Sequence, residues 1–117
     1  MSAPSGAYVV RRDDLPADGA SREFIGAYHA GAGISFILVE AGPGRGPALH
    51  RHPYEEVFIV QEGRATYTAG DAELEVTAGD IVVVPAGVPH RFVNSGDGLL
   101  RQIDIHVGPR FVTEWLD

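Results

Sequence analysis

The sequence contains no cysteine and no lysine among its 117 residues. The first absence removes disulfides, zinc–thiolate centres and cysteine nucleophiles together, and it suits a reducing compartment such as the cytoplasm. The second removes Schiff-base chemistry and any lysine anchor for a pyridoxal cofactor. Basic charge is arginine alone, nine residues against sixteen acidic ones, for a net charge of −7. Apart from the Arg11-Arg12 doublet the arginines stand singly, so no basic face exists to neutralise phosphates and no nucleic-acid partner is expected. Long apolar runs are missing too: none approaches the ~20 residues of a membrane-spanning helix. The opening Met1-Ser2-Ala3-Pro4-Ser5-Gly6 has neither the basic nor the apolar stretch of a signal peptide. The expectation is a cytoplasmic protein with no membrane partner.

Helical periodicity is also scarce. Short β-rich runs alternate with Gly, Pro and Asp, the pattern of an all-β sandwich or barrel. Strands are expected at Tyr8–Arg11, Glu23–His29, Ile34–Glu40, Val57–Gln61, Ala65–Thr68, Glu73–Val76, Ile81–Val84, His90–Asn94 and Leu100–Val107. The fifteen glycines fit many tight turns with positive φ. In Phe111–Leu116 the apolar residues fall at i, i+1, i+4 and i+5, which predicts a short C-terminal helical turn. That turn either packs Trp115 over an open barrel end or makes a dimer contact. Residues 1–117 read as one domain, with no repeat and no low-complexity stretch.

Chemistry concentrates between Gly42 and Gly63. His50 and His52 lie one residue apart, so an extended chain points both to one face, and Glu56 shares their parity. Glu55, the rival carboxylate, then points outward. His90 lies downstream, after a Pro-x-Gly turn. Three imidazoles and a carboxylate suit a divalent first-row metal.

Two longer patterns contain these residues. Gly44, His50, His52, Glu56 and Gly63 match G-x5-H-x-H-x3-E-x6-G, and Gly79, Pro85, Gly87, His90 and Asn94 match G-x5-P-x-G-x2-H-x3-N. These are the two cupin motifs, complete and in order, and the chain resembles a small single-domain cupin. The resemblance implies a jelly-roll β-barrel of about six to eight strands. It implies one divalent transition metal ion (Fe, Mn, Ni, Cu or Zn) held by His50, His52, Glu56 and His90. Family spacing also favours Glu56 over Glu55. The motif glycines and Pro85 read as turn residues, and Asn94 as a turn cap rather than a ligand. Small cupins usually dimerise, and the N-terminal strands within Met1–Ala32 could pair across a homodimer.

Four protein ligands on an octahedral ion leave two positions open. That suits a dioxygenase or related oxidoreductase acting on a small organic molecule. It equally allows a non-redox isomerase, cyclase or lyase, or a non-catalytic small-molecule-binding barrel. Phe58 and Phe92 share the ligands' parity and are candidate pocket walls, with Phe36 and Tyr67 as further candidates. Tyr54, near the mouth, is a weak catalytic candidate. His106 and Asp104 are others, but only if the polar face of Leu100–Val107 points inward. Alternation instead predicts that Ile103, Ile105 and Val107 face the interior. His29 reads as an exposed hairpin residue. Arg45, Arg51, Arg91 and Arg101 could hold a substrate carboxylate, although each reads more simply as a solvated charge.

Overall fold

The computed structural model describes residues 6–117. The strands are β1 (Ala17–Asp18), β2 (Ser21–Phe24), β3 (Ser35–Ala41), β4 (His50–Arg51), β5 (Glu56–Glu62), β6 (Arg64–Ala69), β7 (Ala72–Thr77), β8 (Ile81–Val84), β9 (His90–Asn94), β10 (Leu100–His106) and β11 (Glu114–Trp115). They form two antiparallel sheets, ordered β1-β2-β3-β10-β5-β8 and β11-β4-β9-β6-β7. The two sheets make a jelly-roll barrel, and among the described residues no helix is long and apolar enough to cross a membrane.

Period-two alternation builds the interior. Along β5 Glu56, Phe58 and Val60 are buried, while Val57 and Ile59 are half-buried on the outer face. Their inward partners across β8 are Val84 and Val82. Tyr67 on β6 and Phe92 on β9 meet Phe58 at ring-centroid distances of 4.9 and 6.1 Å, edge to face. With Val39, Val60, Val82, Val84 and Leu100 these rings fill one end of the barrel.

The four motif glycines Gly44, Gly63, Gly79 and Gly87 all have positive φ. Gly63 is constrained twice, since at φ +88° a Cβ would also meet the Leu99 carbonyl oxygen at 2.4 Å. Asn94 works as the expected cap. Its amide donates to the carbonyls of Ala41 and Gly98, and its carbonyl accepts from Gly96 N–H.

Four expectations are corrected. The stretch Tyr8–Arg11 pairs with no strand and leads instead into a 3-10 turn at Arg12–Asp14. The strand expected over Glu23–His29 stops at Phe24, and a second 3-10 turn covers Gly26–Tyr28. There Gly26 lies too close to the carbonyls of Ala32 and Ile34 for any side chain. His29 is half-buried rather than exposed, stacked on Phe24 with centroids 4.4 Å apart. Finally, the C-terminal helical turn is absent. Phe111–Leu116 runs extended, with Glu114 and Trp115 opposite Arg51 and His50 and Leu116 N–H on the Leu49 carbonyl. A helix would have left the edge of β4 unpaired, beside residues that carry the site.

Candidate metal centre

The ligand candidates arrive from three strand ends. His50 lies on β4, His52 follows it, Glu56 opens β5, and His90 opens β9 directly opposite His50. All four are buried, with exposures of 7, 3, 2 and 1% for His50, His52, Glu56 and His90. The potential ligand atoms lie within 4.8 Å of one another, so the group can hold a metal ion. Glu55, one residue away, is exposed.

Backbone carbonyls orient all three imidazoles. His50 Nδ1 lies 2.7 Å from the Ala48 carbonyl, His52 Nδ1 2.8 Å from that of Val112, and His90 Nδ1 2.8 Å from that of Val88. A carbonyl only accepts, so each Nδ1 carries the proton and each Nε2 is left for the interior. His52 Nε2 is buried without a hydrogen-bond partner, although Glu56 Oε1 lies 3.0 Å away. His90 Nε2 lies 3.0 Å from the same oxygen in hydrogen-bonding geometry.

The charge states follow from these contacts. Burial pushes the pKa of His50 down, and the neighbouring His90 and His52 reinforce this against the Ala48 carbonyl. Burial also opposes protonation of His90, but its bonds to Glu56 and Val88 outweigh it and raise the pKa. Burial opposes ionisation of Glu56, yet the imidazoles of His106, His52 and His90 around it hold its carboxyl well below the usual range. A carboxylate oxygen facing several Nε2 atoms, one of them orphaned, is an arrangement that a divalent cation satisfies. The donor set fits such an ion.

The site lies in a cavity of about 700 Å³ whose walls include Phe58, Phe92, Asp104 and His106. Of the residues expected as pocket walls, Phe58 and Phe92 lie there. Phe36 does not: it faces out from β3 and stacks on Phe24 with centroids 4.5 Å apart. Tyr67 belongs to the packed end of the barrel, where its hydroxyl donates to Gln102 Oε1 at 2.9 Å.

The facing of β10 reverses the sequence expectation. Gln102, Asp104 and His106 point inward and are buried, while Ile103 and Ile105 are half-buried outside and Val107 is exposed. Each inward polar group has a partner that the alternation rule does not consider. Gln102 Nε2 donates to Asp104 Oδ1 at 2.8 Å. His106 lies with Nε2 3.1 Å from Glu56 Oε2 and Nδ1 2.7 Å from the Tyr54 hydroxyl. Burial, reinforced by the charge of Glu56, pushes the Asp104 carboxyl well above the usual carboxylate range despite the bond from Gln102. Three polar residues at spacing two, alternating with Ile103 and Ile105, were the sequence signal for this wall.

The arginines divide. Arg45 is exposed on the cavity rim. Arg51 is engaged by Glu114 through two hydrogen bonds of 2.8 and 3.0 Å, Arg101 lies 3.9 Å from Glu62, and Arg91 is exposed on β9.

A double-sheet barrel with a buried three-histidine, one-glutamate cluster defines a metal-type cupin. The Cupin domain family matches residues 37–106, and the chain belongs to that family. It is 33% identical over 109 residues to protein SchB of Streptomyces halstedii, covering 88% of this chain and 78% of that one. It is 31% identical over 64 residues to the acireductone dioxygenase of Drosophila melanogaster, covering 50% of this chain and 34% of that one. Among solved structures, oxalate decarboxylase of Lactobacillus farciminis superposes with a TM-score of 0.77 at 27% identity, covering 89% of this chain. The match spans only 34% of the decarboxylase chain.

Proposed function

We propose that the protein is a metal-dependent cupin enzyme of the dioxygenase or related oxidoreductase kind, acting on a small organic molecule. The observation that carries this reading is the clustering of His50, His52, Glu56 and His90, the first three of which line a cavity large enough for a small substrate. The likeness to an acireductone dioxygenase supports the oxidative reading. The ion is a divalent transition metal drawn from Fe, Mn, Ni, Cu and Zn. When bound, it supplies Lewis acidity and, if redox-active, one-electron chemistry. The chain's own residues do the rest. Phe58 and Phe92 give the substrate an apolar wall, and Asp104 presents a carboxyl group to it. His106 and Tyr54 hold Glu56 in place.

A second reading, a non-redox isomerase, cyclase or lyase, is favoured by Asp104. A buried carboxylic acid that keeps its proton can hydrogen-bond a developing oxyanion or exchange that proton with a substrate carbon or oxygen.

The outer face of the six-stranded sheet supports a homodimer. Phe24, Phe36, Ile105, Val57 and Val83 lie in register across β2, β3, β10, β5 and β8, and a second row runs through Leu38, Ile103, Ile59 and Ile81. Ile81 and Val83 are 62 and 64% exposed, and a second copy of the chain laid on this face would cover them.

Anaerobic metal analysis, followed by reconstitution with Fe(II), Mn(II), Ni(II), Cu(II) and Zn(II) and an oxygen-electrode screen over phenols, enols and thiols, tests the reading. Oxygen uptake with substrate loss supports the oxidative form. Turnover under argon supports the second reading. Tight binding without turnover in any metal form would make the barrel a binding module and overturn both.

A further inference from the structure

The segment that follows β10 touches two of the four ligand candidates, His52 and His50, and reaches a third, Glu56, through Tyr54 and His106. The Val112 carbonyl accepts from His52 Nδ1 at 2.8 Å, with Thr113 Oγ1 3.3 Å from the same nitrogen. The N–H of Val112 donates to the Tyr54 hydroxyl at 3.0 Å. That hydroxyl lies 2.7 Å from His106 Nδ1, and His106 Nε2 lies 3.1 Å from Glu56 Oε2. Three residues after Val112, Trp115 sits opposite His50, ring centroids 5.0 Å apart.

The hydrogen-bond polarity along this chain has one consistent direction. Val112 N–H can only donate, so the Tyr54 oxygen accepts it and turns its own proton to His106 Nδ1. His106 then carries its proton on Nε2 and donates it to Glu56 Oε2. That leaves Oε1, 3.0 Å from both His52 and His90 Nε2, as the oxygen turned to the histidine cluster. The backbone of one residue thereby fixes the ring of His52 through its carbonyl and the carboxylate of Glu56 through its N–H.

We propose that Phe111–Trp115 is a positioning strap of the metal centre, in which the Val112 backbone orients His52 directly and Glu56 through Tyr54 and His106. This rests on the reading that the four-residue cluster holds a metal. Tyr54, His106 and Val112 are positioning residues, because each acts on the site through a ligand side chain. The strap also borders the cavity through Phe111, Thr113 and Trp115.

The test combines Co(II) titration, the visible Co(II) spectrum and imidazole nitrogen NMR on the metal-free protein. The variants are Tyr54→Phe, His106→Leu, His106→Gln and Val112→Pro. Outer partners of metal ligands typically contribute about 10- to 100-fold in affinity. Tyr54→Phe and Val112→Pro are expected to weaken Co(II) binding by about tenfold, and His106→Leu by about 100-fold. All three should shift the Co(II) absorption bands. His106→Gln, whose amide can still donate to Glu56, is expected to recover most of the affinity. In metal-free wild type the NMR spectra should show His106 protonated on Nε2 and His52 on Nδ1, with the His106 pattern lost in Tyr54→Phe. Wild-type affinity and spectra in folded Tyr54→Phe and His106→Leu would overturn the proposal, as would unchanged imidazole signals. If His106→Leu or Val112→Pro fails to fold, Tyr54→Phe alone decides. If wild type binds no metal, the metal reading fails, while the NMR comparison still decides whether the strap orients His52 and Glu56.

Discussion

Glu56 and Asp104 are buried carboxyl groups facing one cavity from the paired strands β5 and β10, and their surroundings shift their pKa values in opposite directions. Glu56 meets three imidazoles and is held ionised. Asp104 is bonded by the Gln102 amide, and burial with the charge of Glu56 raises its pKa well above the usual carboxylate range. One cavity thus holds an anion suited to coordination beside an acid suited to hydrogen-bond donation. Environments that push two titratable groups apart in this way divide roles between them.

The raised pKa of Asp104 has a consequence for stability. Between the unfolded carboxyl's ordinary pKa of about 3.9 and its raised folded value, the folded state holds the extra proton. Its contribution to stability is therefore complete at low pH and declines as pH rises through that window. Asp104→Asn removes the ionisation, so the metal-free variant should melt higher than wild type at pH 7–8 and show less loss of melting temperature from pH 5 to pH 8. Parallel thermal melts check this, and a wild-type pH slope in the variant would contradict it. In the proton-transfer reading, the same variant should lose at least about 100-fold in turnover.

Tyr67 tests the packed end of the barrel. Its hydroxyl donates to Gln102, which in turn donates to Asp104, and all three are buried. Tyr67→Phe leaves the Gln102 carbonyl unpaired and should cost about 1–3 kcal/mol in denaturant unfolding. Because Tyr67 lies outside the cavity wall, metal affinity should stay within about twofold of wild type, well inside the effect expected for partners of the ligands themselves.

The apolar outer sheet gives a separate expectation. Placing a charge at its exposed edge, as Ile81→Glu with Val83→Glu, should convert a dimer to a monomer in light scattering while leaving the metal content unchanged. A wild-type mass of one chain at micromolar concentration would remove the basis for the homodimer.

The sequence made the in-phase group His50, His52 and Glu56 and most strands legible because both depend on local pattern. His50, His52 and Glu56 share parity along one stretch, and Ile81–Val84 and His90–Asn94 are bounded by turn residues on both sides. The facing of β10 was not legible. Alternation assumes that the apolar face is the covered one, whereas Ile103 and Ile105 lie on a sheet face that is apolar from strand to strand, and the lumen supplies partners for Gln102, Asp104 and His106. Phe36 was misplaced for the same reason, since the facing of β3 depends on its pairing with β10. The strap was hidden differently. Two-residue pairings carry no periodicity, the spacing of Phe111, Val112, Trp115 and Leu116 imitates a helix, and the groups that matter at Val112 belong to its backbone.

The central claim is that Glu56, with three histidines, holds one divalent ion in this barrel. The direct test is bound metal per chain, with Co(II) affinity, for wild type, His52→Ala, Glu56→Gln and Glu55→Gln. One ion per chain is expected in wild type and in Glu55→Gln, with binding lost in His52→Ala and weakened at least about 100-fold in Glu56→Gln. Full occupancy at wild-type affinity in Glu56→Gln, or its loss in Glu55→Gln, would contradict the account.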